Sequence, residues 1–218
     1  MINFLKYCLI FIFFTTLGIT IFILSFIYLN HENVSTSNPL IPKTYFSLKN
    51  APAQSLKGEI ASLSGNVAWA SRTAAVATLI DKKITVGQGE EIIAQGNGAA
   101  SVIFPYGINI DMSSNSDLLI IQTLPINLVF SQTQGTITYK NQEGKIPMSI
   151  KPLDLLIEIK NGTSSVTVDK DKSQITLNVS SGSATIAFTD TNNNTVTETI
   201  KKNSKILFDN DTKTFRNL

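Results

Sequence analysis

From about Gly58 to Phe208 the chain alternates apolar and polar residues, interrupted mainly by glycine, asparagine and aspartate. A period of two marks a strand with one buried face, because successive side chains point to opposite sides of the backbone. Ile175-Thr176-Leu177-Asn178-Val179 is the plainest case, with three apolar side chains on one face and two polar ones on the other. The same pattern, rich in Val, Ile, Thr and Phe, predicts strands over 66–70, 91–95, 99–104, 107–112, 117–123, 127–131 and 136–139. It predicts further strands over 155–159, 165–168, 174–179, 184–188, 195–200 and 205–208. Turn residues separate them: Gly87-Gln88-Gly89, Gly96-Asn97-Gly98, Asn141 to Gly144, Asn161-Gly162, Asp169 to Lys172 and Asn192 to Asn194. Many short strands joined by such turns predict an all-β domain. Residues 73–80 read as strand or irregular structure.

A glycine followed by an outgoing alternating strand recurs at Gly58, Gly65, Gly135 and Gly182. The spacing is uneven, so this is no strict repeat array. Glycine permits a corner or bulge where one strand leaves another. These glycines are therefore expected to mark the fold rather than a site.

Residues 7–29, YCLIFIFFTTLGITIFILSFIYL, carry no charge. As a helix they span about 34 Å, enough to cross a hydrocarbon core of about 30 Å. Tyr7 and Tyr28 sit near the ends, where amphipathic rings prefer the interface. The run is longer than a signal-peptide core, and no small-x-small site follows it closely. An uncleaved transmembrane helix is expected. Lys6 and the α-amine precede it, which favours the N-terminus inside and the remainder outside. The expected organisation is a cytoplasmic tail over 1–6, the helix over 7–29, a stalk over 30–56 bearing Pro39, Pro42 and Pro52, and the β domain over 57–218. A first edge strand is expected at Tyr45 to Leu48.

The 218 residues carry a formal net charge of +2, and 16% are charged. That is too nearly neutral for a nucleic-acid surface, which needs clustered Lys and Arg. Cys8 and His31, the one cysteine and the one histidine, fall outside the β domain. The domain therefore has no disulfide, no thiolate nucleophile, no imidazole base and no His or Cys metal ligand.

A set of motifs follows in order: Gly58-x-Ile60 with Gly65-x-Val67, Arg72, Val86-Gly87-Gln88-Gly89-Glu90-Glu91-Ile92, and Gly98 to Phe104. Gly107-Ile108-Asn109-Ile110, Ser116-x-Leu118, Gly135, Gly162-Thr163 and Gly182 come after. This order resembles the FecR domain over most of residues 56–208. Tyr106 stands where the family usually has an acidic residue before the turn glycine, and Ala94 where it has threonine, so the resemblance is to a divergent member. It implies a β-rich, solenoid-like or twisted-sheet or sandwich domain outside the membrane. The best-known members relay a signal to a cytoplasmic anti-sigma segment, and the six residues before the helix are too few for one.

The candidate chemistry is sparse. Asp111, Asp117, Asp154 and Glu158 lie on or near strands, where two could meet as glycoside hydrolysis requires, or could simply face solvent. Glu90 and Glu91, adjacent in a strand, would face opposite sides. Asp169-Lys170-Asp171-Lys172-Ser173 alternates oxygens like a calcium loop but lacks its glycine and distal glutamate, so a hairpin turn is expected. Gly87-Gln88-Gly89 and Gly96-Asn97-Gly98 have no following helix to bind phosphate. Trp69, Tyr106 and Tyr139 are the candidates for stacking on a ligand, with core or cross-strand packing as the alternative. No catalytic residue, metal or cofactor is expected.

The expected function is a non-catalytic binding, regulatory or scaffold module, anchored in the cytoplasmic membrane of a bacterium and meeting a protein or glycan partner in the envelope. The alternatives are a carboxylate-based enzyme on envelope glycans and a structural protein that self-assembles by strand edges or through small residues of its helix.

Overall fold

The structure of the protein, a computed structural model, describes residues 51–218. The tail 1–6, the apolar segment 7–29, the expected strand at 45–48 and most of the linker lie outside the described residues. Among the described residues no helix is long and apolar enough to cross a membrane.

The described chain is all-β. Its strands are β1 (Gly58–Ala70), β2 (Thr78–Ile80), β3 (Thr85–Val86), β4 (Glu91–Phe104), β5 (Ile108–Met112), β6 (Ser116–Leu124), β7 (Asn127–Asn141), β8 (Met148–Pro152), β9 (Leu156–Asp169), β10 (Gln174–Thr189), β11 (Thr195–Lys201), β12 (Ser204–Asp209) and β13 (Thr214–Asn217). Hydrogen bonding runs through all of them, and every pairing is antiparallel except β7 with β8.

The long strands β1, β4, β7, β9 and β10 change partners halfway along. The first half of β4 pairs with β6 and its second half with β5. The first half of β7 pairs with β6 and β8, and the second with β5 and β9. The first half of β10 pairs with β12 and the second with β11. Each long strand thus passes from one layer to a second. One layer contains the first half of β1, the second half of β4, β5, the second halves of β7 and β9, the first half of β10, β12 and β13. The other contains β2, the remaining halves, β6, β8 and β11.

The layers face each other across one core. Phe104 of the first layer meets Phe130 of the second with ring centroids 5.6 Å apart, and Phe208 meets Phe188 at 4.9 Å. Phe130 and Tyr139 lie on the two halves of one strand, yet their centroids are 6.4 Å apart. Nine residues of straight strand would cover about 30 Å, so β7 folds over on itself. The buried residues alternate strictly, as in Ile175, Leu177 and Val179 and again in Ala184, Ile186 and Phe188. Each fully buried Ile, Leu or Phe contributes about 1.5–3 kcal/mol.

The corners explain the recurring glycines. Gly162 and Gly182 sit opposite each other in the β9–β10 register. Both have positive φ, 119° and 71°, and a Cβ on either would lie 2.1 Å from a neighbouring carbonyl oxygen. Only glycine fits such a crossing. Register irregularities accompany the bends, between Ser64 and Asn66 in β1 and between Val179 and Ser181 in β10.

This corrects part of the sequence reading. Gly96-Asn97-Gly98 and Asn161-Gly162 are corners inside β4 and β9, not turns between strands. The expected pairs 91–95 with 99–104, 127–131 with 136–139, 155–159 with 165–168, and 174–179 with 184–188 are single bent strands. The turns at Gly87-Gln88-Gly89, 169–172 and 192–194 stand between strands as expected. Within 73–80, only Thr78–Ile80 is a strand. Three further strands escaped notice. β3 and β13 are short, and β8 buries Met148, Ser149 and Ile150 in succession, which erases the alternation.

Candidate functional site

The three aromatic candidates occupy three different environments. Tyr139 is fully buried. Its hydroxyl donates to Gln132 Oε1 at 3.1 Å, and Gln132 Nε2 donates in turn to the carbonyls of Gly135 and Val166. Burial holds its phenol well above the ordinary tyrosine value. Tyr139 is therefore a core residue and offers no ring face to a ligand, because its inward phase on β7 places it between the layers. Tyr106 is 40% exposed in the turn between β4 and β5, with φ at 66°. The Lys145 ammonium lies 5.7 Å from its ring centroid. Trp69 is half-buried near the end of β1, and its Nε1 donates to Glu90 Oε2 at 3.0 Å.

Next to the Trp69–Glu90 contact the structure builds a cleft of about 400 Å³, lined by Glu90 but not by Trp69 itself. The turn Gly87 to Glu90 forms one wall, tied down by Gly89 N–H donating to Ile120 O at 2.7 Å and Ile120 N–H to Glu90 O at 2.9 Å. Glu90 Oε2 also accepts the Gly87 N–H at 3.0 Å, so the carboxylate is held by its own turn and by the indole. Residues 51–57 form a second wall, fixed by Leu56 N–H to Thr123 O at 2.7 Å and by Ser55 Oγ to Gln88 Oε1 at 3.2 Å. Arg72 follows β1 directly and lies over Gly89. A Cβ there would come within 2.5 Å of Arg72 Nε. Arg72 and Lys57 both line the cleft, and neither joins an ion pair among the described residues.

The strand carboxylates are mostly occupied. Asp111 pairs with Lys140 at 2.6 Å and accepts from Ser101 at 2.8 Å. Burial pushes its carboxyl up, but these bonds outweigh it and hold it below the usual carboxylate range. Asp154 pairs with Lys213 at 2.5 Å and Glu158 with Lys160 at 3.4 Å. Glu91 and Asp117 do come together across β4 and β6. Burial first, then the charge and hydrogen bond of Asp117, raise the Glu91 carboxyl. Asp117 Oδ2 accepts from Thr133 at 2.7 Å, while its Oδ1 is buried without a partner. This pair lies on the outer face of a sheet. The cleft beside the Trp69–Glu90 contact and three other surface clefts are each lined by one carboxylate: Glu90 in the first, and Glu59, Asp209 and Glu198 in the others.

The cleft was missed in the sequence because its walls come from three separated stretches, 51–57, Arg72 and 85–90. Arg72 entered only as part of a motif order, Gly87-Gln88-Gly89 also as a turn, and Glu90 as one of two adjacent strand carboxylates.

No family model matches the sequence, and no curated protein matches it. Among solved structures, two crystal structures of a proposed anti-sigma factor from Parabacteroides distasonis ATCC 8503, at 2.50 and 1.65 Å resolution, share the fold. Their TM-scores are 0.50 and 0.51, at 11% and 10% identity. Each match covers 59% of this chain and 58% of the neighbour. The likeness is a distant one of fold, and it spans less than two thirds of the neighbours' length.

Proposed function

We propose that this chain is a divergent FecR-like module of a bacterial cell envelope. Its helix over 7–29 anchors it in the cytoplasmic membrane with residues 1–6 inside. The β domain stands outside and binds a protein or glycan partner without catalysing a reaction. The observation that carries this reading is the anti-sigma-factor-like fold of the β domain in a chain whose residues 7–29 form an uncharged apolar run of 23. The strand carboxylates favour binding over catalysis, since those at 111, 154 and 158 are paired with lysine.

The test is fractionation of cells producing the full chain. The protein should stay in the membrane pellet after alkaline carbonate washing and partition with detergent. Deleting 7–29 should release it, and protease added outside spheroplasts should digest the β domain. Recovery of the intact chain in the carbonate supernatant, or protection of the β domain in spheroplasts, would overturn the reading.

A further inference from the structure

The cleft beside Trp69 has a charge pattern that selects a ligand class. Lys57 and Arg72 supply two positive charges and Glu90 one negative, leaving one positive charge uncompensated among these lining residues. Glu90 is engaged by the Trp69 indole and the Gly87 N–H through one oxygen, and it makes no ion pair with Arg72. The guanidinium therefore rests on the Gly89 turn with its donors available to the cleft. A planar guanidinium matches a carboxylate with two parallel hydrogen bonds. The resident Glu90 disfavours a doubly charged group such as phosphate, while a single negative charge balances the site. Pro52 and Leu56 flank the polar groups, which suits a carboxylate carried on an apolar chain.

We propose that this cleft binds a carboxylate presented by a peptide, with Arg72 as the principal cation and Lys57 assisting. It gives the binding module proposed above a ligand, and it rests on that reading only for the source of the peptide. A cleft of about 400 Å³ admits the last one or two residues of a chain, or one acidic side chain and its neighbours.

Trp69 is the one tryptophan of the chain and is bonded to the lining residue Glu90, so its fluorescence reports on the cleft through that contact. The full chain in detergent micelles at low salt is titrated with acetyl-Ala-Ala-OH and with acetyl-Ala-Glu-Ala-amide. The neutral partners acetyl-Ala-Ala-amide and acetyl-Ala-Gln-Ala-amide, and inorganic phosphate, serve as comparisons. At least one acid should produce a saturable change in emission that its neutral partner does not, and the responding acid tells a chain end from a side chain. Arg72→Gln should weaken that binding by roughly tenfold or more, and Lys57→Gln by about threefold. No saturable change with either acid, equal binding of the neutral peptides, or tighter binding of phosphate would each overturn the inference. So would unchanged affinity in Arg72→Gln with native circular dichroism. Should Arg72→Gln lose its sheet signal, unchanged affinity in Lys57→Gln overturns it instead. Such failures leave the anchoring reading to its own fractionation test.

Discussion

The bent-strand architecture requires that Gly182 behave differently from an ordinary turn glycine, and alanine substitution measures the difference. At Gly182 the substitution meets two obstacles. The backbone sits at φ 71°, where an L residue costs about 1–2 kcal/mol. The new Cβ would stand 2.1 Å from Asn161 O and 2.9 Å from Gly162 Cα. Both atoms are backbone, so β9 and β10 must separate by about 1 Å, a strain of the kind that costs about 1–3 kcal/mol. The sum is about 2–5 kcal/mol. Gly96 separates the two terms: its φ is 54°, but a Cβ there meets nothing within 4 Å. Gly96→Ala should therefore cost only about 1–2 kcal/mol. Gly87 has open space and no positive φ, so Gly87→Ala should be neutral or stabilise by about 0.4–1 kcal/mol.

Thermal melts of the full chain, followed by circular dichroism in detergent, should show this order. At about 2–4 °C per kcal/mol for a domain of this size, Gly182→Ala should lower Tm by on the order of 10 °C. Gly96→Ala should lower it by about a third of that. Equal losses at Gly182 and Gly96 would refute the claim that the corner needs close backbone approach, and leave only the local φ.

Three further substitutions test the buried polar groups. Asn141, fully buried, donates to the carbonyls of Ile146, Ile159 and Lys160 and accepts from Gly144 N–H, so Asn141→Ala should cost about 2–4 kcal/mol in urea titration; a loss below about 1 would refute its bracing role. Tyr139→Phe strands Gln132 Oε1 and should cost about 1–3 kcal/mol at neutral pH. Because burial raises the folded phenol, its proton-linked stabilisation is full below pH 10 and drains as pH rises past it, so Tyr139→Phe should also flatten the alkaline fall; an unchanged alkaline profile would count against this. Glu91 is raised in the folded state, so its stabilisation is full below about pH 4.5 and is lost as pH rises through the folded value. Glu91→Gln removes the charge that burial and Asp117 disfavour, so it should stabilise the protein at pH 7 relative to pH 4.5 when compared with the parent chain; no change in that ratio would refute the raised carboxyl.

The two-residue period at 174–179 was legible because one face there is buried and the other solvated. The β8 strand was not, because both of its faces are covered and Ser149 is buried among Met148 and Ile150. Glycine was read correctly as a corner residue at 135 and 182 but as a turn at 96–98 and 161–162. Sequence alone does not distinguish the two, since both use positive φ. What differs is whether hydrogen bonding resumes beyond the glycine, and that is decided by the neighbouring strand. Trp69 and Tyr106 look alike as aromatic candidates. Their separation, Trp69 half-buried and bonded to Glu90 and Tyr106 exposed in a turn, follows from which strand end each occupies.

The polar residues of β7 show where recognition can and cannot reside in this fold. Gln132, Tyr139 and Asn141 fall on the inward phase, and each of their polar groups is taken up by backbone or by one another. On β7 a polar side chain of that phase is spoken for, whereas the buried hydroxyls of Thr123 on β6 and Ser164 on β9 have no partner. On the outward phase, Asp111 and Lys140 neutralise each other across β5 and β7, and Glu158 is paired with Lys160. Other strand charges, such as Glu59, Lys151, Glu198, Lys201, Lys205 and Arg216, join no ion pair among the described residues, so what sets Arg72 and Lys57 apart is that two cations converge on one cleft. Arg72 and Lys57 lie just past the two ends of β1, where the ladder stops and no neighbouring strand supplies a counter-charge. The bend at Gly65 brings those two ends to one cleft. The same glycine corner that shapes the core therefore assembles the cationic cleft, and a substitution that straightens β1 should abolish both peptide binding and the Trp69–Glu90 contact together.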